Sequence, residues 1–283
     1  MLKVCLFLLI FFFQTSDVLA KSSSELMEEF NKQGFAPFSR QILSGVEIPA
    51  IFLDRLPADL QNFNVDDKEK EWLFIQIMSP LALRTNQKIL EERKEILSLK
   101  NKFQKQKKLS KEEVALIEAQ AKKYDIFTRF TGDQRTEYLL NNLALRIDIV
   151  PASILVGAAI IESNWGRSRP AHVANAIFKE LVWHTKDGLL PKGQKEDLEY
   201  RIKQYATLQD AMDDYALKLN SNIDFSHFWS IRFNLRNVGS VLRGSNITQT
   251  LDFGSKIENF IGLLNYTIVF YNLDTLDYAK LKI

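Results

Sequence analysis

The sequence predicts a mainly α fold that carries a small β-hairpin lobe. Three observations predict it: amphipathic stripes at helical spacing behind capping signals, a run from 151 to 163 that is apolar around most of its circumference, and one stretch, 181 to 205, where alternation replaces the helical rhythm. At 283 residues, 46% hydrophobic and 25% charged, the chain has an ordinary globular balance and can bury a substantial core. Its net charge of +2 comes from intermixed bases and acids, so no basic face marks a nucleic-acid binder.

The first element is an export signal, residues 1–20. Lys3 precedes an apolar stretch from Val4 to Phe13, and Val18-Leu19-Ala20 has the small residues of a cleavage site. That stretch is too short to span a bilayer as a helix, so the mature chain is expected to begin near Lys21 with no membrane span. The one cysteine, Cys5, falls inside the signal. An exported chain without thiols has no disulfides, thiolate metal ligands or cysteine nucleophiles, which suits a bacterial periplasm or cell envelope.

Residues 21–125 read as a helical N-terminal region. The run 68–99 has helical periodicity but contains Pro80, which is expected to kink or split it. Lys100 to Lys108 reads as a solvated basic connector, and Ser110-Lys-Glu-Glu113 has capping-box spacing and opens a helix ending near Tyr124. Residues 126–275 form the second region. Within it Thr207-Leu-Gln-Asp210 opens a helix with Leu208, Ala211, Met212, Tyr215, Ala216 and Leu219 on one face. Ser255-Lys-Ile-Glu258 opens another, with Ile257, Phe260, Ile261, Leu264 and Ile268 inward. Both stripes read as core without chemistry. Val182-Trp-His-Thr185, the Lys-Asp-Gly turn at 186–188 and Tyr200 to Tyr205 make the hairpin lobe. Residues 276–283 read as a tail.

Common chemistries drop out on spacing. His172, His184 and His227 lack the i, i+4 pairing of a zinc helix, so no metal site is expected. Gly188 to Gly193 is followed by Gln194 where a phosphate loop needs Lys, and Gly166-Arg-Ser-Arg-Pro170 lacks the second glycine of a nucleophile elbow. No cofactor is implied.

Glu162 remains. Pro151 suits a first helical turn, and Gly157 would let another backbone approach closely. Asn164-Trp165-Gly166 stops the helix and leaves Glu162 in the last turn. Low dielectric and the negative helix end both disfavour the carboxylate, so its pKa is expected to rise. Such an acid can protonate a glycosidic oxygen. A structural glutamate hydrogen-bonded at a helix end accounts for the same residues, and both readings stay open at this level.

A resemblance bears on the choice. Leu155 to Arg169, with Glu162-Ser-Asn-Trp-Gly166, resembles the core of the bacterial glucosaminidase family, glycoside hydrolase family seventy-three, which includes FlgJ-type and Bax-type proteins. Pro49 to Pro57, Met78 to Leu83, Asn86-Gln-Lys-Ile, Asn175-Ala-Ile-Phe178, Gly188-Leu-Leu-Pro191 and Leu217-Lys-Leu-Asn220 match the Bax type in order. The resemblance implies a lysozyme-like catalytic domain over 126–275, peptidoglycan glycan strands as substrate, cleavage after N-acetylglucosamine, and Glu162 as catalytic acid.

The second carboxylate is expected to be Glu180, with Glu199 and Asp187 behind it, unless the substrate's own N-acetyl oxygen serves as nucleophile. Trp165, Trp183 and Tyr205 could stack on sugars or belong to the core. Asn175 and Phe178 sit beside the expected groove. Two departures from the family pattern stand out: Lys179 where a glycine is usual, and Phe253 where many members carry a tyrosine. A lytic transglycosylase and a noncatalytic wall-binding protein are therefore the alternatives.

Overall fold

In a computed structural model of the chain the described residues are 21–36, 46–62, 67–251 and 258–282. The expected signal, 1–20, lies outside them, as does Phe253.

The described chain is mainly helical. Helix α1 (Ser23–Lys32) opens on a capping box between Ser22 and Glu25, and a short strand, β1 (Glu47–Pro49), follows. Helix α2 runs unbroken from Asp67 to Gln106 with Pro80 inside it. The expected split does not occur. Pro80 removes one backbone donor, a cost of about 3 kcal/mol in an isolated helix. Around it Phe74, Ile77, Met78, Leu81 and Ala82 are wholly buried, and that packing outweighs the loss. The expected connector at 100–108 is likewise helical to Gln106, because Leu99 and Phe103 are buried and Lys102 reaches Glu113 at 2.7 Å.

Helix α3 (Lys111–Lys123) carries the Ser110 capping box as expected, and α4 (Gly132–Arg146) packs against it. Helix α5 (Ala152–Ser163) is buried from Ala152 to Ile160, on every face. Gly157 admits side chains and not, as expected, a backbone: a Cβ there would lie 2.8 Å from Leu264 Cδ1. Helix α6 (Arg169–Ala174) is capped by Ser168.

Strands β2 (Leu181–Trp183) and β3 (Tyr200–Ile202) pair antiparallel, with Val182 opposite Arg201, and form the expected lobe. Gly188, at φ 118°, folds back onto β3, where a Cβ would meet the Ile202 carbonyl at 2.8 Å. Helix α7 (Leu208–Ser221) opens on the Thr207–Asp210 capping box and buries all six stripe residues.

Helices α8 (Ser226–Asn237) and α9 (Gly244–Ile247) lead to α10 (Phe260–Phe270), which begins after Asn259 in left-handed conformation. The expected cap at Ser255 and the inward Ile257 lie outside the described residues. Leu273–Tyr278 form a 3₁₀ segment, and β4 (Lys280–Lys282) pairs parallel with β1. The residues read as a tail are thus built into the fold, with Leu276 buried.

Helix α2 lies along α4, α5 and α7, so α5 occupies the centre. The turn before α5 is fixed by Arg232, whose buried guanidinium donates to the carbonyls of Arg146, Asp148 and Ile149. No helix among the described residues is long and apolar enough to cross a membrane.

Candidate active site

Helix α5 ends in three consecutive left-handed residues, Asn164, Trp165 and Gly166, at φ 52°, 59° and 71°. Ser163 locks the turn: its hydroxyl donates to the Ala159 carbonyl at 2.6 Å and accepts from the Gly166 N–H at 2.7 Å. Only glycine fits at 166, since a Cβ would press on the Phe74 ring at 2.8 Å. The chain reverses there, and Glu162, in the last turn of α5, borders an open cleft of about 570 Å³.

The lobe and α7 form the walls of this cleft. Glu180 and Trp183 line it from the lobe, Tyr215 and Lys218 from α7, and Phe225, Leu251 and Phe260 close its apolar side. Glu162 accepts a hydrogen bond from the Lys179 backbone N–H at 3.1 Å, and the Tyr215 hydroxyl beside it favours its charged form. Burial pushes its pKa up to about 7, the largest effect. The Lys179 N–H opposes the rise, the Glu180 charge adds to it, and Lys218 and Tyr215 counter it. The direction is the one expected from the sequence.

Sequence reasoning missed Tyr215. It was placed in the stripe of α7 as core, and it is buried, but its hydroxyl reaches the acid. Burial, then the Glu162 and Glu180 charges, hold that hydroxyl well above its ordinary pKa, so it remains a donor. A phenol in an otherwise aliphatic stripe was the available signal, since buried tyrosines need a partner for the O–H.

The remaining expected residues divide. Glu180 lies in the cleft and pairs with Lys218 at 2.6 Å across it. Trp183 is 54% exposed and sits against Tyr200 with ring centroids 5.1 Å apart, both rings lining the cleft. Phe178 is buried and stacks flat on Tyr215 at 3.9 Å, which supports the phenol from behind. Asn175 does not line the cleft: it is buried, and its amide donates to the carbonyls of Tyr205 and Ala206, tying down the base of the lobe. Tyr205 also lies off the lining, with its hydroxyl on Asp214 at 2.7 Å. Trp165 packs away from it, edge-on to Tyr271 and Phe74. Asp187 and Glu199 are exposed on the lobe and do not line the cleft.

Among the described residues no group of three or more His, Cys, Asp or Glu side chains could hold a metal ion. The arrangement presents one acid of raised pKa next to a phenol, beside an aromatic shelf and a second carboxylate already in an ion pair.

Residues 139–265 match the glucosaminidase family, described as mannosyl-glycoprotein endo-beta-N-acetylglucosaminidase. The matched span contains Glu162, Glu180, Tyr215 and Lys218. The chain is similar to Protein bax of Escherichia coli (strain K12), at 27% identity over 166 residues, which cover 58% of this chain and 55% of that protein. The chain thus spans about half the length of the curated relative it matches. No solved structure matches it.

Proposed function

Since residues 139–265 are a domain of the glucosaminidase family, we propose that this chain is an exported glycosidase that cleaves β-1,4 bonds after N-acetylglucosamine in peptidoglycan, with Glu162 as general acid. The observation that carries the reading is Glu162 at the edge of the cleft, its pKa raised to about 7. At neutral pH about half of such a group is protonated, which is the condition for acid catalysis there.

A glycan strand lies along the cleft with one sugar against Trp183 and Tyr200, whose exposed faces suit stacking on a pyranose. Glu162 gives its proton to the bridging oxygen as the C1–O bond breaks. The Tyr215 hydroxyl and the Lys179 N–H then stabilise the carboxylate left behind. Lys179 departs from the family's glycine, yet the acid uses its backbone amide, which any residue but proline supplies.

The electron-deficient carbon needs a partner. Glu180 is held by Lys218, which favours the substrate's N-acetyl carbonyl oxygen as the attacking group. Water then opens the cyclic intermediate and returns a proton to Glu162. The same ion pair also favours a second reading, a lytic transglycosylase, in which the sugar's own 6-hydroxyl closes on C1.

Digestion of purified sacculi with mass spectrometry of the fragments tests both. Reducing N-acetylglucosamine ends are the expected product. Ends bearing 1,6-anhydro sugars support the transglycosylase, and no released fragment at all overturns the enzymatic reading.

A further inference from the structure

The cleft holds a cation that touches no reacting atom in the proposed mechanism. Lys218 stands on α7, and its Nζ crosses to Glu180 Oε1 at 2.6 Å, the lobe side of the same cleft. Glu180 is the less exposed partner, with 17% of its side-chain surface open against 38% for Lys218. Glu162 lies between these walls, within reach of both charges.

We infer that Lys218 is a positioning residue: it pins Glu180 to the α7 wall and offsets part of the Glu180 charge at Glu162. The inference rests on the glycosidase reading of the cleft and names the residue that tunes it.

Two carboxylates in one low-dielectric site cannot both ionise freely, and unpaired they titrate as a coupled dyad sharing a proton. A cation bound to one of them breaks that coupling.

Among the described residues no other base in the cleft is arranged to do this. Lys179 contributes its backbone N–H to Glu162 while its side chain is exposed. Lys203, at the exit of the lobe, is committed to Asp214 at 2.7 Å, and Asp214 also takes the Tyr205 hydroxyl. Tyr215 is a neutral donor, and Asp224 adds a further carboxyl group to the cleft lining. Within the helix Lys218 is one turn beyond Tyr215, its Nζ 6.0 Å from that ring centroid, so α7 presents phenol and ammonium together.

The test is a carboxyl titration that does not depend on turnover. In full-length protein carrying ¹³C at the glutamate carboxyls, the Glu162 resonance is assigned by its loss in Glu162→Gln and followed against pH. In the parent its midpoint is expected near 7. Lys218→Gln should raise that midpoint by about one unit, a tenfold gain in proton affinity. Lys218→Arg should leave it near the parent. Glu180→Gln should lower it, because the cation then faces Glu162 alone. The double variant Lys218→Gln with Glu180→Gln should fall back from the single Lys218→Gln value.

An unmoved midpoint in Lys218→Gln, or a double variant that titrates like it, overturns the inference. Should Lys218→Gln fail to fold, an upward or absent shift in Glu180→Gln overturns it equally. An unmoved midpoint in a protein that still cleaves sacculi removes the role of Lys218 and leaves the glycosidase reading standing. A moved midpoint in a protein that releases no fragments does the reverse.

Discussion

Helix α5 has a half-buried carboxyl group at each end, and the two ends are used differently. At the N-terminal end Asp277 accepts from the Ser153 N–H at 3.0 Å, the Ser153 hydroxyl at 2.7 Å and the Gly244 N–H at 2.8 Å. It supplies the cap that Pro151 cannot. At the C-terminal end Glu162 has one backbone N–H and one phenol, with an open cleft beyond.

Burial pushes both groups up to about 7, so a raised pKa does not by itself distinguish chemistry from structure. Partners and access do. Asp277 closes backbone and side-chain hydrogen bonds where the helix dipole favours an anion. Glu162 is left able to exchange its proton where the dipole disfavours one.

Breaking Asp277 gives the largest expected effect on the protein as a whole. Asp277→Ala orphans the donors of Ser153 and Gly244 and should cost about 3 kcal/mol, read as a fall in the denaturant midpoint. Glu162→Gln should cost little, and its effect should depend on pH. The folded pKa of Glu162 lies above its unfolded value of 4.5, so the folded state binds more protons between about 4.5 and 7 and the parent loses stability as pH rises through that window. Glu162→Gln should remove about 2 kcal/mol of that loss after allowance for the open side of the group, while the share due to Asp277 stays. Equal slopes in parent and variant would contradict the assignment.

Much of this contrast was legible in the residues. An apolar run ended by Asn-Trp-Gly put an acid at a buried helix end, and the Ser110 and Thr207 boxes opened α3 and α7 as expected. Glu162 stood out because nothing else in its helix is charged. Asp277 did not, because its partners come from α5 and α9 and no local pattern announces them.

The same limit explains the other misses. Tyr215 has the spacing of a core residue, and its partner lies on another helix. Trp165 turns inward because its backbone is left-handed, which only the closed turn reveals. Pro80 signals a break wherever local propensity decides, and here the packing around α2 decides instead. The β1–β4 pair is three residues long on each side and ties residues 47–49 to the C-terminal end of the described chain.

Two smaller effects sharpen the comparison at the C-terminal end of α5. Tyr215→Phe keeps the stack on Phe178 and removes the hydroxyl, so kcat on soluble glycan fragments should fall about tenfold with KM little changed. Trp183→Ala should raise KM severalfold, with a smaller change in kcat, because a sugar shelf acts on ground state and transition state alike. A fall in kcat alone would move Trp183 from the shelf to the chemistry.

The account turns on whether Glu162 delivers the proton. Turnover of purified glycan strands by Glu162→Gln, in protein whose unfolding transition matches the parent's at pH 5, tests this most directly. The predicted result is a loss on the order of 10³-fold in kcat. Turnover within a few fold of the parent would contradict it.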